Sequence, residues 1–348
     1  MTAPAVAATA AGSAAEPATS DRDAYRATLV RLARTDSRIW CLDSDTGGLE
    51  SEFGAELPGQ YVDLGIAEAN LMTVGAALAR TGIIPFLNTM AAFASARALE
   101  QVKVDVAYHD LPVRIIGTHA GFAAAHLGPT HHAQQDLAAM RALPNMTVMT
   151  PADPAETVRM VQAAAYLPGP VYIRMGYRPI GAVYRHHHEF TVGRAVPLRP
   201  GTDVTIVAAG GYPLLFALQA ADDLAAAGID AAVLNMHTIK PLDVAALVAA
   251  AEETRGIVTV EDHSVLGGLG GAVAEALAEH RPTRVCRVGI RDAFCPLPGT
   301  HRDQLEAAGV SPDRIVAAAH TVAGAHTVTA HAAATHTAAG AHTAAAAA

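Results

Sequence analysis

The stretch Tyr61–Asn70, YVDLGIAEAN, puts a carboxylate where chemistry is feasible. Its first half reads as a short apolar strand, and its second half as a helix beginning near Ala67. Glu68 stands at that junction. In open α/β sheets, ligands bind where strand passes into helix. A carboxyl group flanked by Gly65, Ile66 and Ala67 is poorly solvated. Burial raises a carboxyl pKa, so Glu68 could hold or share a proton near neutral pH. A plainer role is to offset the dipole at a helix N-terminus; position alone leaves both open. His119 and His131 lie twelve residues apart, on and after the apolar run IIGTHA. Neutral imidazoles there could donate to hydroxyls or move protons. No third ligand stands at a recognisable zinc spacing, so no metal site is read. Phe93, in TMAAFASAR, is either an ordinary core ring or a flat partner for a flat ligand. Arg22, with Arg174 or Arg178 in YIRMGYR, could clamp an anion. Exposed arginines paired with carboxylates are the alternative.

The elements that must position these groups alternate. RIWCLDSD, the Glu68 strand, GIIPFLNTM, LPVRIIGTHA, NMTVMT and PVYIRM read as strands with helices between them. Strands and helices alternating at this length imply a mostly parallel sheet covered on both faces. A first α/β unit is expected over residues 21–182, and a connection over 183–202. A smaller α/β unit follows over 203–320, starting with DVTIVAAG. GGLGG opens a helix there, but the spacing of a dinucleotide fingerprint is not met. Packing of the helix start is the expected role of those glycines. Residues 1–20 and the Ala/Thr/His-rich 321–348 read as disordered tails. His186–His188 and the spaced histidines of the last segment have only weak metal-binding potential.

The chain has 348 residues, enough for two ordinary domains. Hydrophobic residues make up 51% and charged residues 16%, so a sizeable core can be buried. Alanine inflates that apolar share. The net charge is −9 and no lysine-rich run occurs, which argues against nucleic acid. Three widely spaced cysteines without a C-x-x-C fit a reducing cytoplasm. The first twenty residues lack the basic start of a signal peptide, and no apolar run reaches membrane-spanning length.

DLGIAEANL, IIPFLNTMAAFASARALEQVKVD, THAGFAAAHLGPTHHAQQDLAAMRALPNMTVMTPAD, PVYIRM and EDHSVLGGLGGAVAEAL occur in that order. Together they resemble the transketolase family, from about Asp21 to Ala318. The match is to the C-terminal half of the full-length enzyme, or to the small subunit of split forms. The resemblance implies a pyrimidine-binding domain for thiamine diphosphate, followed by a smaller C-terminal α/β domain. In that family the glutamate matching Glu68 hydrogen-bonds a ring nitrogen of the cofactor's aminopyrimidine and so promotes loss of the thiazolium proton. The aromatic matching Phe93 stacks on the pyrimidine. Ile66, Met90 and Asp45 fall at further cofactor-side positions, with Met90 where a second aromatic is common. The histidines matching His119 and His131 line the substrate channel, His131 with a catalytic role. Arg22 matches a phosphate-contacting arginine; a second falls at Arg174 or Arg178, unless Tyr177 holds that place.

Two departures stand out. Leu127 replaces an aspartate that contacts a donor hydroxyl, and Leu49 replaces a serine on the phosphate side. A site without a hydroxyl's partner tolerates less polar substrates. The GDG motif that holds Mg²⁺ and the diphosphate is absent. The implied enzyme is therefore half an active site, a ketol-transferring subunit needing a GDG-bearing partner, together a heterotetramer. The beta subunit of a 2-oxo-acid dehydrogenase and a non-catalytic structural partner are the rival readings; GPTHH and His119 favour the first over the second enzyme.

Overall fold

The structure, a computed structural model, describes residues 19–184, 189–295 and 298–324. The first unit begins with α1 (Asp21–Thr35), β1 (Ile39–Asp43), β2 (Tyr61–Asp63) and α2 (Glu68–Ala79). It continues with β3 (Ile84–Met90), α3 (Ala91–Ser95), α4 (Leu99–Gln101), β4 (Arg114–Thr118), α5 (Asp136–Ala142), β5 (Thr147–Met149), α6 (Pro154–Ala165) and β6 (Val171–Arg174). The second comprises β7 (Val196–Arg199), β8 (Val204–Ala209), α7 (Gly211–Ala226), β9 (Ala231–Asn235), β10 (Thr238–Lys240) and α8 (Val244–Glu253). It ends with β11 (Ile257–Ser264), α9 (Leu269–His280), β12 (Val285–Ile290), α10 (His301–Ala307) and α11 (Pro312–Ala323).

Local sequence explains the boundaries. Ser20 caps α1 in a reciprocal box with Asp23, and Asp153 caps α6 ahead of Pro154. The central strands β4 and β6 are buried along their whole length, as parallel strands covered on both faces must be. GGLGG fits the expected packing role. Glu261 accepts from the backbone N–H groups of Leu269 and Gly270 at 2.7 and 2.8 Å, capping α9. A Cβ at Gly268 would lie 2.0 Å from that carboxylate. Burial raises the Glu261 carboxyl to about 7.

The sheets are ordered β10–β5–β6–β4–β3–β1–β2 and β12–β11–β8–β9–β7. All pairings are parallel except β10 with β5 and β7 with β9. β10 comes from the second unit yet completes the first sheet, so the two units share a strand edge. Its three residues carried no periodic signal. β7 lies inside the stretch read as a connection, on an exposed sheet edge where alternation is weak. Residues 93–108, whose pattern reads as one helix, are broken into the end of α3, α4 and a wide turn at Val102–Ala107. Helix α11 runs three residues into the stretch read as a tail, because Val322 is buried against the second core. The other readings made for the two tails and for His186–His188 lie outside the described residues. Among those described, no helix is long and apolar enough to cross a membrane.

A buried ion pair ties the units together. Arg174, at the end of β6, donates to Asp136 at 2.8 Å and to the backbone carbonyl of Asp262 on β11 at 2.6 Å. The side chains of Arg174 and Asp136 are 4% and 0% exposed. Arg174→Met should strand the Asp136 carboxylate and cost about 3–5 kcal/mol. Adding Asp136→Leu should restore much of that loss. Denaturant unfolding of the single and double variants is the check; a single variant as stable as wild type would refute it.

Candidate active site at the carboxyl ends of the first sheet

The residues singled out from sequence converge on one edge. Asp45 follows β1, Glu68 follows β2, Met90 ends β3 with Phe93 just beyond, His119 follows β4 and Arg178 follows β6. This is the edge where α/β sheets bind ligands. Gly65, with φ of 66°, turns the chain between β2 and α2, and Asp63 accepts from its N–H at 2.8 Å. That turn places Glu68 on the first residue of α2, buried at 2% exposure. Its carboxylate is held by Arg97, whose Nη1 donates to both oxygens at 2.9 Å. The same guanidinium lies over the Phe93 ring, 4.5 Å from its centroid. His131 meets that ring edge-on at 5.2 Å. Arg97 was not foreseen. It lies in the turn between α3 and α4, four residues after Phe93.

A second cluster is cationic. His119, 5% exposed, has a left-handed backbone (φ 57°) and stacks on Tyr177 at 4.0 Å. Arg22 lies over the Tyr177 ring at 4.6 Å and Arg178 at 5.5 Å. His126 stacks at the outer side at 6.4 Å. Burial, then the charges of Arg22, His126, His131 and Arg178, push His119 down to about 4. It is a neutral imidazole at physiological pH, a hydrogen-bonding group beside two permanent cations. Arg22 has only a 3.8 Å contact to exposed Asp23. Two guanidiniums with little counter-charge suit an anion. Tyr177 is therefore the platform of the cluster, although from sequence it entered only as an alternative holder of the second arginine's place.

Other candidates fall elsewhere. Arg174 is committed to Asp136 and Asp262, while Arg178 is exposed beside Arg22; the structure separates the two. Leu49, read as replacing a phosphate-side serine, is buried in the core with Tyr25, Leu29 and Phe53. Leu127 is 39% exposed on the short turn Ala125–Leu127, next to His126. Asp45 is exposed with a left-handed backbone. Ile66 is 70% exposed beside buried Glu68. Among the described residues, no group of three His, Cys, Asp or Glu could hold a metal ion.

Comparison with known proteins bears on both units. Residues 18–178 match the family described as "Transketolase, pyrimidine binding domain", and residues 193–315 match "Transketolase, C-terminal domain". The chain is 43% identical to the 6-deoxy-6-sulfo-D-fructose transketolase subunit SqwH of Clostridium sp. strain MSTE9 over 304 residues. That alignment covers 86% of this chain and 94% of the relative. It is also 43% identical to one of the subunits of the apulose-4-phosphate transketolase of Phocaeicola vulgatus, covering 78% of this chain and 87% of that subunit. A solved "Split gene transketolase, inactive beta4 tetramer" superposes with a TM-score of 0.81 at 42% identity, covering 88% of this chain and 98% of that one.

The His119 environment yields a measurable expectation. Its folded pKa of about 4 lies below the ordinary 6.5, so the folded state binds fewer protons in between. The resulting stability is complete above about 6.5 and is lost as pH falls through about 4. By NMR, His119 should titrate near 4 in the folded chain. Its midpoint should rise in Arg178→Ala, and also when inorganic phosphate is added. A midpoint near 6.5, unmoved by either change, would show that His119 is neither buried nor facing these cations.

Proposed function

The chain belongs to the transketolase family, and from that premise we propose that it is the pyrimidine-domain subunit of a split enzyme that moves a two-carbon ketol unit from an anionic ketose to an aldose. The observation that carries this reading is that Glu68 and Phe93 are touched by one planar, nitrogen-bearing group, the Arg97 guanidinium. A buried carboxylate and a ring face within reach of one flat donor fit the aminopyrimidine of thiamine diphosphate. Glu68 would hydrogen-bond its ring nitrogen and Phe93 would cover its face, with Ile66, Met90 and Asp45 around them. Thiamine diphosphate, when bound, supplies the nucleophilic carbon that carries the two-carbon unit.

The chain's own residues have separable tasks. Glu68 would share a proton with the ring nitrogen that takes Arg97's place at its carboxylate. Arg97, 53% exposed, can swing into water to release it. Arg22 and Arg178 grip the anionic end of the sugar, and neutral His119 donates to a hydroxyl beside them. His131, packed against Phe93, lies between that cluster and Glu68's end of the site. The two named relatives act on a sulfo-sugar and a sugar phosphate, which supports an anionic substrate here. Half-exposed Leu127 offers no hydrogen bond near the same cluster, so recognition of the hydroxyl facing it would be lax.

In this reading the diphosphate and Mg²⁺ are held by a partner carrying the GDG motif that this sequence lacks. Two copies of each chain would make a heterotetramer working in the cytoplasm. The solved relative described as an inactive beta4 tetramer supports the need for a second kind of chain.

The purified chain should show no thiamine-diphosphate-dependent ketol transfer until a GDG-bearing partner is added. In the reconstituted complex, Glu68→Gln should lower the rate by at least ~10²-fold while cofactor binding changes much less. Turnover by the isolated chain, or a near-normal rate in Glu68→Gln, would sink the respective half of the proposal. A companion test addresses substrate choice: Leu127→Asp should raise relative kcat/KM for an ordinary ketose phosphate by roughly five-fold, the worth of one added hydrogen bond. An unchanged ranking across a donor panel would place Leu127 away from the sugar.

A further inference from the structure

The second sheet leaves one edge uncovered. β12 ends the order β12–β11–β8–β9–β7, and β11 is its only strand neighbour among the described residues. An edge strand presents a row of unpaired backbone N–H and C=O groups. A cavity of about 650 Å³ runs beside it. Five consecutive residues of the strand, Val285 to Gly289, form one wall, so the cavity follows the backbone. The other wall is one face of α11. Arg314, Ala317, Ala318 and Thr321 stand on it at the i, i+3, i+4, i+7 spacing of a helix stripe. A different stripe of α11, with Ile315, Ala319 and Val322, is buried in the second core. The helix is thus anchored by one side and flanks the strand edge with the other. The two alanines keep that flank low. Five residues of strand span roughly 17 Å, room for a short extended segment.

The charge of this groove has one sign. Arg287, Arg291 and Arg314 line it and are exposed, and no Asp or Glu lines it. Arg287 donates to the backbone carbonyl of Val265 at 2.7 Å, which holds its head at the rim. Arg291 follows β12 directly and lies near Gly309, where a Cβ would be 3.8 Å from its Nε. Arg314 stands in the first turn of α11, where the helix dipole adds positive potential.

We propose that this groove docks an extended, acidic segment of a partner protein, which joins the sheet as a strand beside β12. Strand addition takes its affinity from main-chain hydrogen bonds and its specificity from what the side chains meet. Here they meet three guanidiniums, so carboxylates fit. Two other occupants fail on charge. A second copy pairing β12 with β12 would bring Arg287 toward its twin, and like charges across paired strands destabilise them. The chain's own segment 325–348 contains no Asp or Glu. The inference does not depend on the ketol transfer proposed above, because none of the residues assigned to that site lines this groove.

The probe is an acetylated, amidated hexapeptide of alternating Val and Glu, titrated into the full-length chain by calorimetry. It should bind saturably, and the same peptide with Lys in place of Glu should not. Equimolar inorganic phosphate should not displace it. Arg291→Gln with Arg314→Gln, both exposed positions, should weaken binding by about ten-fold, since hydrogen bonds to charged groups are lost. Arg22→Gln, in the other cationic cluster, should leave it unchanged. Backbone methylation separates strand addition from attraction alone. A strand turns alternate N–H groups toward its neighbour, so methylating the Val nitrogens and methylating the Glu nitrogens should differ by about ten-fold in their effect. Equal effects of the two methylation patterns, displacement by phosphate, or binding indifferent to the arginine pair would each overturn the docking groove.

Discussion

One carboxylate from the second unit holds the loop on which the site is built. Asp262, 5% exposed on β11, accepts from the Phe122 N–H and pairs with His301, while its backbone carbonyl accepts from Arg174. Gly121 passes so close, with φ of 56°, that a Cβ there would sit 2.0 Å from the carboxylate. Any other residue at 121 would push the loop off Asp262. Lifting the loop away would also break the Phe122 hydrogen bond to Asp262, worth about 1.5–3 kcal/mol to a charged group, against a total stability of about 5–15 kcal/mol. The short bridge between Gly121 and Ala133 closes the loop on itself, so His119, His131 and His132 move with Phe122. The second unit thus shapes the site through the backbone it clamps, with Phe294 as its direct contribution to the lining.

The pair of Glu68 and Arg97 shows how a buried carboxylate can be kept and still be available. A glutamate at 2% exposure needs a partner, and Arg97 supplies two hydrogen bonds. The arginine itself is half in water. Exchanging its contact for solvent is therefore inexpensive for Arg97, since an exposed ion-pair member contributes little. The Asp136–Arg174 pair is the contrast: both members are buried, neither has water to return to, and the pair serves as structure. Exposure of one partner, more than the presence of a charge pair, separates a site that can open from a joint that must not.

Much of this was legible in the sequence. The alternation of apolar runs placed most strands and helices of the two units but not β7, β10, α10 or α11, and the strand-to-helix junction at Gly65 located Glu68. Parallel α/β units are specified by local patterns, so local reading works for them. What was missed depends on partners distant in sequence. β10 is a three-residue strand whose existence follows from the free edge of β5, and nothing local announces it. Arg174 and Arg178, four residues apart, could not be ranked, because their fates are set by Asp136 and Tyr177. Arg97 stayed hidden too, since its importance lies in what surrounds it.

The edge at β2 connects this geometry to assembly. β2 is three residues long and ends the first sheet, so no further strand among the described residues covers that side. Ile66, two residues before Glu68, projects from it at 70% exposure. In the proposed reading a partner chain seats there, and the same contact does two things. It removes Ile66 from water, a gain of about 1.5–3 kcal/mol for a fully buried side chain of that size. It also dries the approach to Glu68, where a carboxylate's influence on a nearby nitrogen strengthens as the local dielectric falls. In that reading the glutamate stays paired with Arg97 until assembly changes the medium around it, and competence would depend on the partner even though the partner supplies neither Glu68 nor Phe93.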